Sequence, residues 1–372
     1  MDDKLKIAAF GGFRSIPPTA GAAGADKFAV ELYPRLVKKG YDVIAYCRIY
    51  PGNDDHLHEE YQGIKLKWFK TINKGGFDTL IHSFKATADI IFHNRAQIVH
   101  LQSGANSIWA LFLRMAGKKV FVSQFAMDWK RDKWPWYGKI YYRFSNYLTA
   151  YLPNEVLFDN IYTKEYFEKK FKKKFGFIPY GCEVNEPAPD NPILEQLNLK
   201  PGNYFLFVGR FIPDKGIHLL IEAFGQLETD MKLVLIGNSP NPSVYERDLK
   251  NSKDERIVFA GYIYGDDTNY LIKHAYAYVQ PSLIEGLSPV ILTVMGLGTP
   301  LICSDIVENV FITEGNATHF ESNNSLSLLQ ALKFALDHPV KIKSEAVLGQ
   351  KNVTKRFNWD NITDQFIEVF KQ

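Results

Sequence analysis

Short apolar runs alternate with helix-length segments along the whole chain, and the pattern occurs twice. The runs fall at 6–10, 42–47, 97–101, 119–123, 155–158 and 175–179, then at 204–208, 232–236, 256–260, 276–280 and 300–304. Between them lie helical patterns near 24–39, 78–93, 105–116, 138–151 and 160–173, then 215–226, 243–251, 267–274, 288–297, 325–337 and 359–371. Nearly continuous apolar strands that alternate with helices are typical of parallel sheets covered on both faces.

This pattern predicts an α/β protein of two doubly wound, Rossmann-like domains facing a cleft. The proline-rich stretch 186–192 is interpreted as the linker. We expect an N-terminal domain over 1–183, a C-terminal domain over 184–358, and a helix near 359–372 that packs back on the first domain.

Composition and charge narrow the class of protein. Hydrophobic residues make up 46% of the 372, which is enough to exclude a disordered chain. The three cysteines form no C-x-x-C pair, so neither a zinc site nor a disulfide framework is expected. We see no secretory signal and no run of about 18 apolar residues, so a cytoplasmic protein is expected. Residues 1–190 hold 28 Lys+Arg and 20 Asp+Glu (+8), and the rest hold 16 and 21 (−5). A basic half suits an anionic surface, although chance surface variation explains the asymmetry equally well.

Candidate binding residues follow two strands of the second half. After the run 204–208, Gly209 permits a tight turn, Arg210 stands at the strand tip, and Lys215 begins a helix. Two cations there suit a diphosphate, because Arg offers two parallel hydrogen bonds. The alternative is a pair of solvated surface charges.

The second segment, Pro281-Ser-Leu-Ile-Glu-Gly-Leu-Ser-Pro, follows the run 276–280. Ser288 is a natural N-cap, and the free N–H groups of the helix behind it suit an anion. Glu285, on the preceding loop, suits sugar hydroxyls, whereas the alternative is an ordinary capped helix with an exposed Glu.

Three sequence motifs occur in this order along the chain: I-P-Y-G-C-E at 178–183, G-R-F-x-P-x-K-G at 209–216, and P-S-x-x-E-G at 281–286. This order resembles that of the GT-B retaining glycosyltransferases of family 4. The segments 12–18 and 23–29 look like that family's glycine-rich loop and first helix. The segment 128–134 is similar to one in bacterial rhamnosyltransferase-like members that build surface polysaccharides. The resemblance covers nearly the whole chain.

The resemblance implies a transferase that moves a sugar from a nucleotide-sugar to an acceptor hydroxyl with retention. It implies that Arg210 and Lys215 stabilise the departing diphosphate, and that Glu285 contacts the donor sugar. It further implies no metal and no cofactor, with a glycan or lipid-linked acceptor on the N-terminal domain. The remaining donor-binding candidates are Gly12, Gly24, Gly209, Tyr262 (toward the base), Gly286, Leu287, Ser288 and Thr293. Acceptor-side candidates are His100 and Asp128.

Two positions depart from the family pattern. Thr293 stands where members usually carry a second Glu that binds the ribose, and Phe125 stands where many carry a His or an acid. These departures favour, as an alternative, a non-catalytic GT-B protein that binds a sugar nucleotide or a partner. A sugar-nucleotide epimerase is a further alternative. A nicotinamide-dependent oxidoreductase is disfavoured, because no G-x-G-x-x-G follows the first strand.

Two basic, aromatic stretches, 130–144 and 164–175, suggest peripheral contact with an anionic membrane. In the second stretch, Phe167, Phe171 and Phe175 recur every four residues with lysines between them. The alternative is that this stripe packs on the first domain. No nucleic-acid motif accompanies either stretch, so we expect no nucleic-acid partner.

Overall fold

The computed structural model describes residues 5–18, 24–50, 57–72, 76–125, 136–182, 184, 186–238 and 244–372. The chain divides into two compact units. Unit 1 comprises Met1–Tyr180 and Trp359–Gln372, and unit 2 comprises Gly181–Asn358. The first boundary between the units thus follows residue 180, whereas the sequence suggested a boundary after residue 183.

Unit 1 is built on a sheet in the order β3-β4-β2-β1-β5-β6-β7-β8, parallel except for the β3–β4 pair. Its strands are β1 (Lys6–Phe10), β2 (Asp42–Ile49), β3 (Glu60–Tyr61), β4 (Ile64–Lys70), β5 (Ile98–Gln102), β6 (Lys119–Gln124), β7 (Glu155–Phe158) and β8 (Gly176–Phe177). Its helices up to this point are α1 (Gly24–Lys38), α2 (Phe77–Phe92), α3 (Ile108–Met115), α4 (Trp136–Tyr151) and α5 (Ile161–Phe171). The central strands β1 and β5 are almost wholly buried, as the continuous apolar runs predict.

Unit 2 is built on a second, parallel sheet in the order β11-β10-β9-β12-β13-β14. Its strands are β9 (Tyr204–Val208), β10 (Lys232–Ile236), β11 (Ile257–Gly261), β12 (Ala277–Gln280), β13 (Leu301–Ser304) and β14 (Thr318–Phe320). Its helices are α6 (Ile193–Gln196), α7 (Ile217–Gly225), α8 (Val244–Lys250), α9 (Asp266–His274), α10 (Pro289–Gly296), α11 (Val307–Thr313), α12 (Ser325–Asp337) and α13 (Pro339–Arg356). The strand order reverses between β9 and β12, and in doubly wound sheets ligands bind at the carboxyl ends of the strands beside such a switch.

The last helix, α14 (Trp359–Lys371), belongs to unit 1 and packs on α1. Its buried side chains recur at helical spacing: Trp359, Ile362, Phe366 and Phe370. Phe366 stacks edge-on against Phe28 of α1 at 5.7 Å between ring centroids. The C-terminal segment is therefore part of the hydrophobic core of unit 1.

The phenylalanine stripe of α5 and of the residues just after it also lies in the hydrophobic core of unit 1. Phe167, Phe171 and Phe175 pack around Phe158 of β7, and Phe167 is fully buried. The interpretation of this stripe as a membrane-facing surface is therefore wrong, because its rings already have an apolar environment inside unit 1. Across the described ranges, none of the helices is long and apolar enough to cross a membrane.

Candidate functional site

Glycines end the three neighbouring strands β9, β10 and β11 of unit 2. Gly209 follows β9, Gly237 follows β10, and Gly261 is the last residue of β11. Gly237 has φ +130°, and a Cβ there would collide with the Gly209 carbonyl oxygen. Only glycine permits this approach of two turns, which leaves the exposed Arg210 at the sheet's carboxyl edge.

A second close approach fixes the position of Lys215. Lys215 ends a short 3₁₀ turn, and the following Gly216 has φ +63°. A Cβ on Gly216 would collide with the carbonyl oxygen of Pro281, which begins the loop after β12. The Leu283 N–H also donates to the Asp214 carbonyl at 2.9 Å. The two loops are thus held together at the edge of the sheet.

Glu285 is the centre of a buried polar network on that loop. Its Oε1 accepts hydrogen bonds from the Lys215 ammonium, from Gln280 Nε2 at 2.6 Å and from Ser282 Oγ at 2.7 Å. The Tyr278 hydroxyl donates to Gln280 Oε1 at 2.8 Å and so orients that amide. The Glu285 side chain is only 10% exposed and that of Lys215 is 19% exposed.

Opposing effects act on the pKa of Glu285. Burial alone would raise it, but the Lys215 charge and the hydrogen bonds from Lys215, Ser282 and Gln280 outweigh burial and hold the pKa below its usual value. The carboxylate is therefore ionised at neutral pH. Among the described residues, every donor to it reaches Oε1, which leaves Oε2 for a ligand hydroxyl.

The helix that follows, α10, begins as the sequence predicts. Ser288 caps it by accepting from the Ile291 N–H at 3.5 Å, and Pro289 occupies the first helical position. The Val290 N–H has no partner within the helix and suits an anion. Gly286 is half-buried and Leu287 is buried, so the loop presents backbone here rather than long side chains.

Thr293 lies one turn further along α10 and is half-buried. Its hydroxyl donates to the Pro289 carbonyl within the same helix at 3.1 Å. Only the lone pairs of that oxygen therefore remain for a ligand.

Tyr262, which follows β11, is 47% exposed and stacks on Tyr264 at 5.7 Å with only 11° between the ring planes. Three residues of the site were not predicted from the sequence: Tyr264, Gln280 and Ser282. The P-S-x-x-E spacing, which places Ser282 three residues before Glu285, was the available signal.

In unit 1 the turn after β1 is as tight as the glycine-rich pattern suggests. Gly11 has φ +117°, and a Cβ on Gly12 would lie 2.9 Å from Gln102 Cβ. The buried Arg48 donates to the Gly11 carbonyl and to Asp78 at 3.0 Å, which fixes the turn. Gly24 is the first residue of α1, and residues 19–23 lie outside the described residues.

The structure corrects the acceptor-side prediction for His100. The ring is completely buried, its Nδ1 lies 3.1 Å from the Tyr33 hydroxyl and its Nε2 lies 2.8 Å from Ser123 Oγ. Burial lowers the pKa of His100 to about 3, so it is neutral and takes no part in surface chemistry. Phe125 packs edge-on against Phe28 at 5.3 Å, and Phe28 in turn contacts the His100 ring. Asp128, the other candidate, lies outside the described residues.

Over the part of the chain that the structure describes, no group of three or more His, Cys, Asp or Glu side chains could hold a metal ion. Arg210 and Lys215 place positive charge at the edge of the unit 2 sheet.

The segment that carries this site is similar to known proteins. Residues 191–353, which include the Lys215–Glu285 pair, match the family model described as glycosyl transferases group 1. The O-antigen chain mannosyltransferase B of Escherichia coli is 28% identical over 195 residues, 50% of this chain and 50% of that protein. The O-antigen chain mannosyltransferase C of the same species is 24% identical over 216 residues, 54% and 56% of the two chains. The chain thus spans about half the length of the curated relatives it matches.

Solved structures resemble the entire chain. A sucrose-phosphate synthase from Thermosynechococcus elongatus has a TM-score of 0.81 at 19% identity and covers 99% of each chain. HepE from Anabaena, in complex with UDP and glucose, has a TM-score of 0.81 at 16% identity, again over 99% of each chain. These likenesses confirm the predicted two-domain, Rossmann-like GT-B fold.

Proposed function

We propose that this protein is a glycosyltransferase that moves a sugar from a nucleotide-sugar donor to an acceptor hydroxyl with retention. The observation that carries the proposal is the buried Lys215–Glu285 pair at the carboxyl edge of the unit 2 sheet. The family match over residues 191–353 supports transfer as its chemistry.

In the proposed reaction the bond between the anomeric carbon and the diphosphate oxygen breaks, and the acceptor oxygen bonds to that carbon. The acceptor proton leaves with the nucleoside diphosphate. Arg210 and Lys215 supply positive charge where the leaving group gains negative charge, and preorganised charge of this kind is commonly the largest single contribution to catalysis. The Val290 N–H and the loop backbone at Gly286 and Ser288 add donors for the phosphates.

Glu285 has two tasks in this proposal. Its Oε1 orients the Lys215 ammonium, and its Oε2 accepts a hydrogen bond from a hydroxyl of the donor sugar. A carboxylate close to a phosphate site would otherwise repel the ligand, but pairing with Lys215 offsets that repulsion and leaves Arg210 as the net positive charge. The exposed faces of Tyr262 and Tyr264 offer stacking surfaces for the nucleotide base.

The donor class is supported by structural neighbours solved with UDP and UDP-glucose. For the acceptor we propose a glycan or a lipid-linked sugar, because relatives are named as O-antigen mannosyltransferases and as a lipopolysaccharide N-acetylglucosaminetransferase. We propose that no metal or cofactor is needed, that the acceptor binds on unit 1 and that the reaction occurs in the cytoplasm.

The first experiment is a thermal-shift panel of UDP, GDP, dTDP and their sugars without added metal, followed by NMR of the anomeric configuration in the product. A rise in Tm with one nucleotide identifies the donor, and a product with the donor's configuration supports retention. No shift with any nucleotide would contradict the proposal.

Donor binding without transfer to any acceptor would instead support the non-catalytic alternative, which the engagement of the Thr293 hydroxyl within its own helix favours. Interconversion of sugar epimers without acceptor consumption would indicate the epimerase.

A further inference from the structure

Helix α4 presents an apolar stripe to solvent. Tyr137, Ile140, Phe144, Tyr147 and Tyr151 recur at alternating spacings of three and four residues, and each is more than half exposed. Trp136 precedes them and is 74% exposed. The opposite side of the helix, with Ser145, Asn146, Thr149 and Ala150, is the side that packs on unit 1. The larger apolar side chains thus point outward, the reverse of the usual arrangement.

Exposed apolar side chains also lie on α3, which packs beside α4, and on α2, which packs beside α3. Leu111, Phe112 and Met115 of α3 are also exposed, and the ring of Trp109 bridges Phe112 at 6.2 Å and the exposed Phe84 of α2 at 5.8 Å. We call the exposed apolar side chains of α4, α3 and Phe84 the aromatic face. An apolar surface that spans three adjacent helices is larger than scattered exposure explains, and it marks an interaction site.

The two main helices of the aromatic face, α3 and α4, carry side-chain charge of one sign. Neither α3 nor α4 contains a single Asp or Glu, whereas Arg114, Lys139 and Arg143 lie on these two helices. From α5, the Lys170 ammonium sits 4.9 Å from the centroid of the Tyr147 ring, and Lys173 donates to the Ala150 carbonyl at 3.1 Å. Lys170 and Lys173 of the 164–175 stretch therefore border this face, although the phenylalanines of that stretch are buried.

We infer that the aromatic face docks on the surface of an anionic lipid bilayer. Trp and Tyr suit the headgroup region because their rings are apolar and their N–H or O–H groups are polar. Each bordering Lys or Arg adds attraction to anionic headgroups. A second copy of this chain is a poorer occupant, because a twofold contact would bring Arg143 and Lys139 of each copy toward like charges. This inference goes beyond the proposed function, since it concerns neither donor nor transfer.

Vesicle flotation tests the inference without any substrate. We expect the wild-type protein to bind vesicles of phosphatidylglycerol and phosphatidylcholine more strongly than vesicles of phosphatidylcholine alone, and less strongly at high salt. The double variant Arg143→Gln/Lys170→Gln should lose about 25-fold in partition at low salt, about fivefold for each cation. The double variant Ile140→Gln/Phe144→Gln should lose at least about tenfold.

The matched control is Leu326→Gln/Leu348→Gln, which removes two comparably exposed apolar side chains from unit 2. This control should bind vesicles as the wild type does. All variants change exposed residues, so unchanged melting curves verify that they fold. Equal binding by the control and the α4 variants would overturn the inference, as would a lack of binding to anionic vesicles. A wild-type dimer that the Ile140→Gln/Phe144→Gln variant converts to monomer, with no vesicle binding, would overturn it in favour of a second copy. Donor binding is measured separately by thermal shift, so failure of the membrane inference can be distinguished from failure of the proposed function.

Discussion

Replacing Lys215 with Met perturbs the candidate site at a single charge. Methionine keeps most of the side-chain volume but removes the ammonium that donates to Glu285 Oε1. The carboxylate then remains in a largely buried position with Ser282 and Gln280 as its donors. The variant therefore measures how much of unit 2's stability depends on this pair.

The expected cost is about 3 kcal/mol at pH 7.5. Removing one partner of a buried pair costs roughly 3–5 kcal/mol. We take the lower end because the Lys215 side chain is 19% exposed and two hydrogen bonds to Glu285 survive. For a domain the size of unit 2, each 1 kcal/mol lowers Tm by about 2–4 °C, so the expected decrease is about 6–12 °C.

The stability that unit 2 loses in Lys215→Met should also depend on pH. In the wild type the pKa of Glu285 is lowered, so the stability it contributes is present above the unfolded value near 4.5 and is lost as pH falls through the folded value. In the variant, burial acts with less opposition and the pKa of Glu285 rises. A carboxyl with a raised pKa destabilises the fold most at neutral pH. The difference between variant and wild type should therefore narrow as pH falls from 7.5 to 5.

The chain supplies an internal reference for the assay. All six tryptophans, at positions 68, 109, 129, 134, 136 and 359, belong to unit 1. Tryptophan fluorescence therefore follows the unfolding of unit 1, whereas far-UV circular dichroism follows both units. Lys215→Met should lower the circular dichroism transition and leave the fluorescence transition unchanged, and Lys333→Met, at an exposed position of α12, should change neither. A variant that melts with the wild type by both probes, or a deficit that is constant with pH, would refute the argument.

Three further predictions concern the turn, the cations and the buried histidine. Gly216→Ala should lower the stability of unit 2 by well over the roughly 1–2 kcal/mol that a left-handed non-glycine residue costs, because its Cβ would also collide with Pro281. The control Gly315→Ala, at φ +80° with open space around it, should cost only that backbone strain. Equal losses of stability in denaturant titrations of the two variants would contradict the collision with Pro281. Arg210→Ala should reduce turnover at least about 100-fold with Lys333→Ala unchanged, and near-normal initial rates would place the diphosphate elsewhere. Because burial lowers the pKa of His100 to about 3, the unfolded state takes up the proton first as pH falls below about 6.5, so this residue should cost unit 1 about 2 kcal/mol between pH 7.5 and 5. Fluorescence-detected unfolding of His100→Gln should show a correspondingly shallower pH dependence, and an identical slope would contradict the assignment.

The strands that the sequence predicts well are those buried on both faces. The observed bounds of β1, β7, β9 and β10 coincide with the predicted runs, because an interior parallel strand is apolar at nearly every position. Strand β4 was missed, since Ile64, Leu66 and Trp68 alternate with lysines and form no continuous run. The alternation of period two was the signal for a half-exposed strand.

Some features of the candidate site could likewise be predicted from the sequence, whereas others could not. Gly209, Lys215, Glu285 and Ser288 could be found because turn chemistry and capping act over a few residues of sequence. The pairing of Lys215 with Glu285 could not, because it depends on the approach of Gly216 to Pro281 across two loops. His100 was misjudged for a related reason: rings from α1 and from α14, more than 250 positions later, enclose it.

The return of α14 makes unit 2 an inserted domain. Residues 181–358 form one continuous segment, whereas unit 1 is completed only when the chain comes back at Trp359. The two ends of the interruption lie side by side, since the rings of Tyr180 and Trp359 are 5.2 Å apart. A few flexible residues could therefore join position 180 to position 359 and give unit 1 as a single uninterrupted polypeptide. Truncation at 180, by contrast, would remove the α14 rings that contact Phe28 and His100 and expose that side of the core to water.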